Sequence, residues 1–348
     1  MRRIALVALI VLACSGGDEV PVATAHIFTG ASVGAVSRAF PPIDDSWAKQ
    51  GQLLSPAGWE GTALVEPTVL VDDRWRMWYR GAWPAASEAI GYAECTLGDD
   101  PTVSGNWTKY ASNPVVGLGA VVADPVALPE VYKLAGIYYM SAVSDPFTVG
   151  NAMLFLSSAD GLAWSTRAGS ISLPSGKDLW GNRVVWHDGS QYQMLAEAGL
   201  AASPPWEIYR YTSANGLTWS IANSGNALTS LQVATGGMYG GPSLAGYAGQ
   251  LLPGAGGKIH LWYHASPSPS SSLPTNIYHA TADPSDLDTW TKTSGAVLTH
   301  AASGFEVDQV ADPSIVMYGG TAYLFYDGDD NTAEAAAIGV ATAPLEPR

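Results

Sequence analysis

Cysteine is nearly absent from this chain. Two occur in 348 residues, Cys14 and Cys95, so a disulfide framework does not hold the fold together, and no Cys/His spacing resembles a zinc site. Positive charge is scarce as well: 16 Lys and Arg stand against 31 Asp and Glu, a net charge of −15. That balance argues against nucleic acid or an anionic membrane surface as a partner. Charged residues make up only 14% of the chain while 47% are hydrophobic, enough to bury a large core. Outside the first residues there is no amphipathic helical run, which excludes a helical bundle. Gly (38) and Trp (13) are plentiful, as in a turn-rich β protein.

The chain repeats one unit. Glu66-Pro67-Thr68-Val69, the turn Asp72-Asp73-Arg74, Trp75 to Gly81, Ala89 to Ala93 and Trp107-Thr108-Lys109 are short aromatic or β-branched runs bounded by turn residues, the signature of a four-stranded antiparallel meander. Openings that align with Glu66-Pro67 occur at Asp124-Pro125, Asn182-Arg183, Gly241-Pro242 and Asp312-Pro313, at steps of 58, 58, 59 and 71 residues. A repeat of this length is one sheet that must stack on its neighbours. The fourth-strand tryptophan recurs as Trp107, Trp164, Trp219 and Trp290, but the last repeat ends without one; the missing copy is Trp47, ahead of the first opening. The expectation is an all-β, five-bladed β-propeller of four-stranded antiparallel blades whose ring is closed by an N-terminal strand near Trp47, leaving no inner edge unpaired. Ser158 to Trp164 and Ser213 to Trp219 carry Asp-Gly and Asn-Gly hairpin turns, which we read as structural.

Met1-Arg2-Arg3 and the apolar run Ile4 to Ala13 have the form of an export signal, too short to span a bilayer. Val11-Leu12-Ala13-Cys14 resembles the lipobox of bacterial lipoproteins. Residues 1–13 are then a signal peptide, Cys14 the lipidation site, 14–38 a flexible tether and 39–348 the propeller, exported to the cell envelope and touching membrane only through its anchor. An ordinary secretory signal is the alternative. Cys95, without a partner, reads as a small buried core residue.

In such a blade the start of the innermost strand and the end of the second share one mouth of the ring. Strand starts supply Glu66, Asp124, Asn182, Gly240 with Gly241, and Asp312; strand ends supply Arg80, Glu197, His264 and Asp327. Acids with one Arg and one His around a funnel suit a polyhydroxylated, neutral ligand and the supply of acid and base to it. Carboxyls this crowded are expected to separate in pKa.

The Pro-containing openings, aromatic second strands and Asp-Gly-x-x-Trp hairpins resemble the five-bladed propeller glycosidases, glycoside hydrolase family 43 with families 32 and 130 as relatives, over residues 47 to 343. The resemblance implies a base at Glu66, a tuning acid at Asn182 and a proton donor at Gly240, but only Glu66 keeps a carboxylate. The family mechanism therefore does not transfer. The catalytic candidates are Glu66, Asp124, Glu197 and Asp312, working as paired carboxylates. Arg80, Asn182, Tyr239, His264, Asp327 and Trp180 are substrate-binding candidates, with Trp83 and Trp206 as further aromatics for a sugar face. Arg80 and His264 holding phosphate is a second route, and a catalytically inactive carbohydrate-binding or scaffold lipoprotein a third. The sequence shows no cofactor motif or metal set; only the resemblance brings in a central Ca²⁺. A monomer is expected.

Overall fold

The computed structural model describes residues 47–81, 88–146, 148–201, 203–244, 246–247, 250–251, 257–268, 274–329 and 336–345. The expected export signal and tether, with Cys14, and the aromatic candidate Trp83 lie outside them.

The first strand, β1 (Ala48–Leu54), belongs to the last sheet. Blade one is β2 (Leu64–Val71), β3 (Arg74–Gly81), β4 (Ala89–Thr96) and β5 (Trp107–Lys109); blade two is β6 (Val126–Leu134), β7 (Ile137–Ser144), β8 (Ala152–Ser158) and β9 (Ser165–Arg167). Blade three is β10 (Leu179–His187), β11 (Tyr192–Leu200), β12 (Ser203–Ser213) and β13 (Ser220–Ile221). Blade four is β14 (Met238–Leu244), β17 (Ile259–Ser266), β18 (Asn276–Asp283) and β19 (Asp286–Leu298), and its β15 (Gly246–Tyr247) and β16 (Gln250–Leu251) form a small hairpin beside β10. Blade five is β20 (Gln309–Tyr318), β21 (Thr321–Asp329) and β22 (Ala336–Pro344), completed by β1 running antiparallel to β22 with Ala48 opposite Thr342 and Leu54 opposite Ile338. This is the expected five-bladed ring, closed by the segment around Trp47.

Inner and second strands read as nearly continuous apolar runs because both their faces are covered. Burial in β3 runs almost unbroken from Trp75 to Gly81. The core is correspondingly divided into five large clusters, one between each pair of neighbouring blades. Trp75 of blade one meets Tyr323 of blade five edge-on at 4.9 Å, and Trp47 meets Trp262 of blade four at 6.4 Å. Trp47 therefore fastens its strand to two blades at once. The Asp-Gly and Asn-Gly hairpins are structural, as expected: the side chains of Asp160 and Asn215 each accept two backbone N–H groups of their own turn.

Candidate functional site

A bulge in each innermost strand builds the site. Pairing of β2 with β3 skips from Val65–Arg80 to Thr68–Trp78, and the inner strands of the other four blades skip at the matching place. Within the skip the backbone is left-handed, with φ of 56° at Glu66, 59° at Leu128, 55° at Gly241 and 47° at Asp312. Proline follows each of these four. Such backbone is strained for any residue but glycine, and a bulge re-aims the side chain it carries, here toward the axis.

This register corrects two assignments. In blade three Gly181-Asn182, not Asn182-Arg183, occupies the place of Glu66-Pro67, since pairing skips from Trp180–Ala198 to Arg183–Ala196. Leu128-Pro129, not Asp124-Pro125, occupies the place of Glu66-Pro67, because β6 begins at Val126 with Val126, Ala127 and Leu128 all buried, already past Asp124. Asp124 is exposed ahead of the strand. Blade two therefore gives the mouth only Leu128 and, opposite Ala127, Val143.

The other predicted polar residues converge. Glu66 is 5% exposed; its Oε1 lies 3.0 Å from Arg80 Nη1, and its Oε2 accepts the Leu128 N–H at 2.7 Å. The Glu66 N–H donates to Asp327 Oδ1 at 3.1 Å, and Asp327 is hydrogen-bonded to Asp312. Asp312 Oδ1 accepts from Asn182 Nδ2 at 2.7 Å and lies 3.0 Å from His264 Nδ1. On the far side of the imidazole, His264 Nε2 is 3.9 Å from Glu197 Oε1, while Glu197 Oε2 accepts the backbone N–H groups of Asn182 and Gly241 at 3.1 and 3.3 Å. One imidazole thus separates two carboxyl groups. Their facing oxygens are at most about 9 Å apart, within the span over which paired carboxyls act on glycosidic bonds.

Glycines make room for Glu197. A Cβ at Gly240 would stand 2.1 Å from Glu197 Oε1 and one at Gly181 2.6 Å from Oε2, while one at Gly241 would strike His264 and Asp312. The carboxyl that the resemblance implies at position 240 is thus replaced, in nearly the same space, by one reaching in from β11.

The environments drive the acids apart. Burial, followed by the Asp312 charge, holds Asp327 well above the usual carboxylate range. Burial raises Glu66 to about 8 against the pull of Arg80, and it raises Glu197 and Glu88 as well. Burial also opposes ionisation of Asp312, but the His264 charge, its hydrogen bond and that of Asp327 outweigh it, leaving Asp312 below its ordinary value. For His264 burial works against the charge, and Asp312 and then Glu197 raise it overall. The arrangement is one carboxyl held below its ordinary pKa among carboxyls held above theirs.

Trp180 and Tyr239 are not at this mouth. Trp180 packs in the core between blades two and three, 5.7 Å from Tyr211, and Tyr239 is fully buried between blades three and four. Trp206 covers the Gly199 backbone. Three residues escaped the sequence reading. Glu88 lies 3.8 Å from Arg80. Glu130 accepts the Val185 N–H from blade three, and burial lifts its carboxyl to about 8. Arg183, 2% exposed, reaches across to the Leu128 and Ser141 carbonyls. By register it stands where the other four blades have Thr68, Glu130, Ser243 and Ser314.

No family model and no curated protein sequence matches the chain, but solved structures do. A structure described as a glycoside hydrolase superposes with a TM-score of 0.66 at 17% identity, covering 89% of this chain and 94% of the other. The catalytic domain of a GH62 alpha-L-arabinofuranosidase from Coprinopsis cinerea gives 0.62 at 13%, covering 87% and 98%. A structure reported with the GH130 mannoside phosphorylases, a family containing hydrolases that target beta-1,2 mannosidic linkages in Candida mannan, gives 0.56 at 14%, covering 91% and 98%. The fold is that of the five-bladed propeller glycosidases. Among this propeller's described residues no three His, Cys, Asp or Glu side chains are grouped to hold a metal ion. The donors of His264 and Asp312 face each other, so the cluster does not fit a central Ca²⁺ and no step below is routed through one.

Proposed function

We propose that this propeller is a glycoside hydrolase acting on a neutral glycan, with Asp312 as base and Glu197 as proton donor. The observation that carries the reading is the split across His264, with a carboxyl whose pKa is lowered on one side and a carboxyl whose pKa is raised on the other. Asp312 takes a proton from water as the water oxygen bonds to the anomeric carbon. The glycosidic C–O bond breaks while Glu197 gives its proton to the leaving oxygen. Afterwards Asp312 holds a proton and Glu197 lacks one; His264, with one ring nitrogen toward each, is placed to pass it back. Asp327 and Asn182 keep Asp312 oriented.

Arg80 lies against Glu66 and Glu88 inside the protein, which favours a structural ion pair over phosphate capture. Binding without turnover is favoured by a different observation, the depth of the acids: Glu197 is 6% exposed and Asp327 1%. Rates on a panel of aryl furanosides and pyranosides, for wild type, Glu197→Gln and Asp312→Asn, decide between the readings. Hydrolysis by wild type that falls about 10²- to 10⁴-fold in both variants supports catalysis; glycan binding with no turnover supports the binding reading. The leader sequence supports export and lipid attachment at Cys14, which Cys14→Ala tests by releasing the protein from the membrane fraction.

A further inference from the structure

Among the described residues, three aromatic rings at the acid mouth lie on a glycine of a second strand. A Cβ at Gly81 would stand 2.9 Å from Trp59 Cη2, one at Gly328 2.8 Å from Phe305 Cδ2, and one at Gly199 2.4 Å from Trp206 Cδ2. Trp59 and Phe305 are also packed against the core clusters beside them. Trp206 differs: it is half-buried and, among the described residues, joins none of the five large clusters. Its contact with Gly199 is face-on, since the same Cβ would lie 2.7 Å from both Cε2 and Cε3. Gly199 is outside the left-handed region, so its missing Cβ serves the ring rather than the backbone. One face of the indole is spent on the strand, and the other is not committed to the core.

The ring stands beside Glu197. Glu197 and Gly199 are two apart on β11 and share one face of the strand. That face looks toward blade four, because Ile208, opposite Glu197, belongs to the core between blades three and four. The indole is therefore displaced from the Glu197 backbone by about 7 Å along the strand, toward the rim. Its surroundings are fixed. Lys177 Nζ donates to the Pro205 carbonyl at 3.0 Å and pairs with Glu207 at 2.8 Å, holding the residues on either side of Trp206. The Asp178 N–H donates to the Gly199 carbonyl at 3.0 Å, and Asp178 Oδ1 accepts the Ala201 N–H at 2.8 Å. A flat apolar face held in place before a ligand arrives loses little freedom on binding, and it suits the C–H face of a sugar ring.

We propose that Trp206 is the stacking platform for the sugar on the leaving side of the scissile bond, so that the substrate is a glycan chain cut between two sugar residues. The placement rests on the glycosidase reading, in which Glu197 protonates the leaving oxygen; the platform itself does not. Binding is therefore tested first, without turnover. 5-Fluorotryptophan is incorporated into the Glu197→Gln protein, and the Trp206 fluorine signal is assigned by its loss in Trp206→Phe. The probes are cellotriose, xylotriose, mannotriose and arabinotriose. At least one shifts the Trp206 signal at a concentration where its monosaccharide does not, and leaves unmoved the signal of Trp186, near the far end of β10. A Trp206 signal unmoved by all four overturns the proposal. The second test is kinetic. Trp206→Ala lowers kcat/KM on the trisaccharide that binds by about tenfold more than on the methyl glycoside of the same sugar, mostly through KM, and Trp206→Phe recovers most of the difference. Equal losses on the two substrates overturn the proposal, and if Trp206→Ala does not fold, the fluorine signal decides. A shifted Trp206 signal without hydrolysis by the wild-type protein keeps the platform and removes the glycosidase reading.

Discussion

Glu197 shows how much one side chain depends on what its neighbours lack. Its carboxyl fits only because positions 181 and 240 carry no Cβ. Gly240→Ala is expected to expel it, with a stability loss of about 1–3 kcal/mol from overpacking and a loss of activity matching that of Glu197→Gln; urea denaturation and hydrolysis rates measure the two effects. His264 governs both sides of the pair, and the signs follow from its charge. It lowers the pKa of Asp312 and of Glu197, so His264→Gln moves both limbs of the pH profile of kcat/KM to higher pH. A structural role alone would lower the rate without moving the limbs. The sequence put Glu197, His264 and Asp312 at one mouth, but the imidazole between the two acids and the space they need were not legible in it. Glu197 and Asp312 are 115 positions apart, and their relation depends on glycines whose requirement appears only once the side chains occupy space.

At the scale of strands, the repeat and its closure were legible because each blade repeats the same apolar and turn pattern and the last lacks its tryptophan. The register was less so. Asp124-Pro125 and Leu128-Pro129 both look like a blade opening, and only burial of the run from Val126 to Leu128 decides between them. Chain order also conceals that a bulge turns Glu66 and Asp312 toward the axis. The closing strand is held by more than its ladder: Lys49 pairs with Glu306, whose Oε1 accepts from Tyr326 at 2.7 Å, as Lys109 pairs with Glu60 below Tyr79 in blade one. Trp47 adds its indole against Trp262. Trp47→Ala is therefore expected to cost about 3–5 kcal/mol, read as a lower urea midpoint for the whole propeller rather than for blade five alone.

The whole molecule carries two opposed pH dependences. His260 Nδ1 and His279 Nε2 lie 3.0 Å apart in the core beside Trp262, and burial lowers the rings to about 4 and about 3 from an ordinary 6.5. The unfolded chain binds those protons first, so this stability is complete above pH 6.5 and is lost as pH falls toward 3. Glu66 and Glu130, raised to about 8 from 4.5, act the other way: their contribution is complete below 4.5 and is lost as pH rises through 8. Thermal midpoints should peak in mildly acidic solution, roughly pH 4.5–6.5. Glu130→Gln should flatten the alkaline side and His279→Gln the acid side. The fold sets this balance and also brings Glu197 and Asp312 to either side of one imidazole, and that pairing is the central claim. The measurement that tests it most directly is the ratio of wild-type to Glu197→Gln rates on two substrates of the same sugar, one with an alkyl aglycone and one with a 2,4-dinitrophenyl aglycone that departs without a proton. A ratio of about 10² or more on the first that falls close to 1 on the second is the predicted result. Equal ratios on both, or no hydrolysis of either by the wild-type protein, would contradict the assignment.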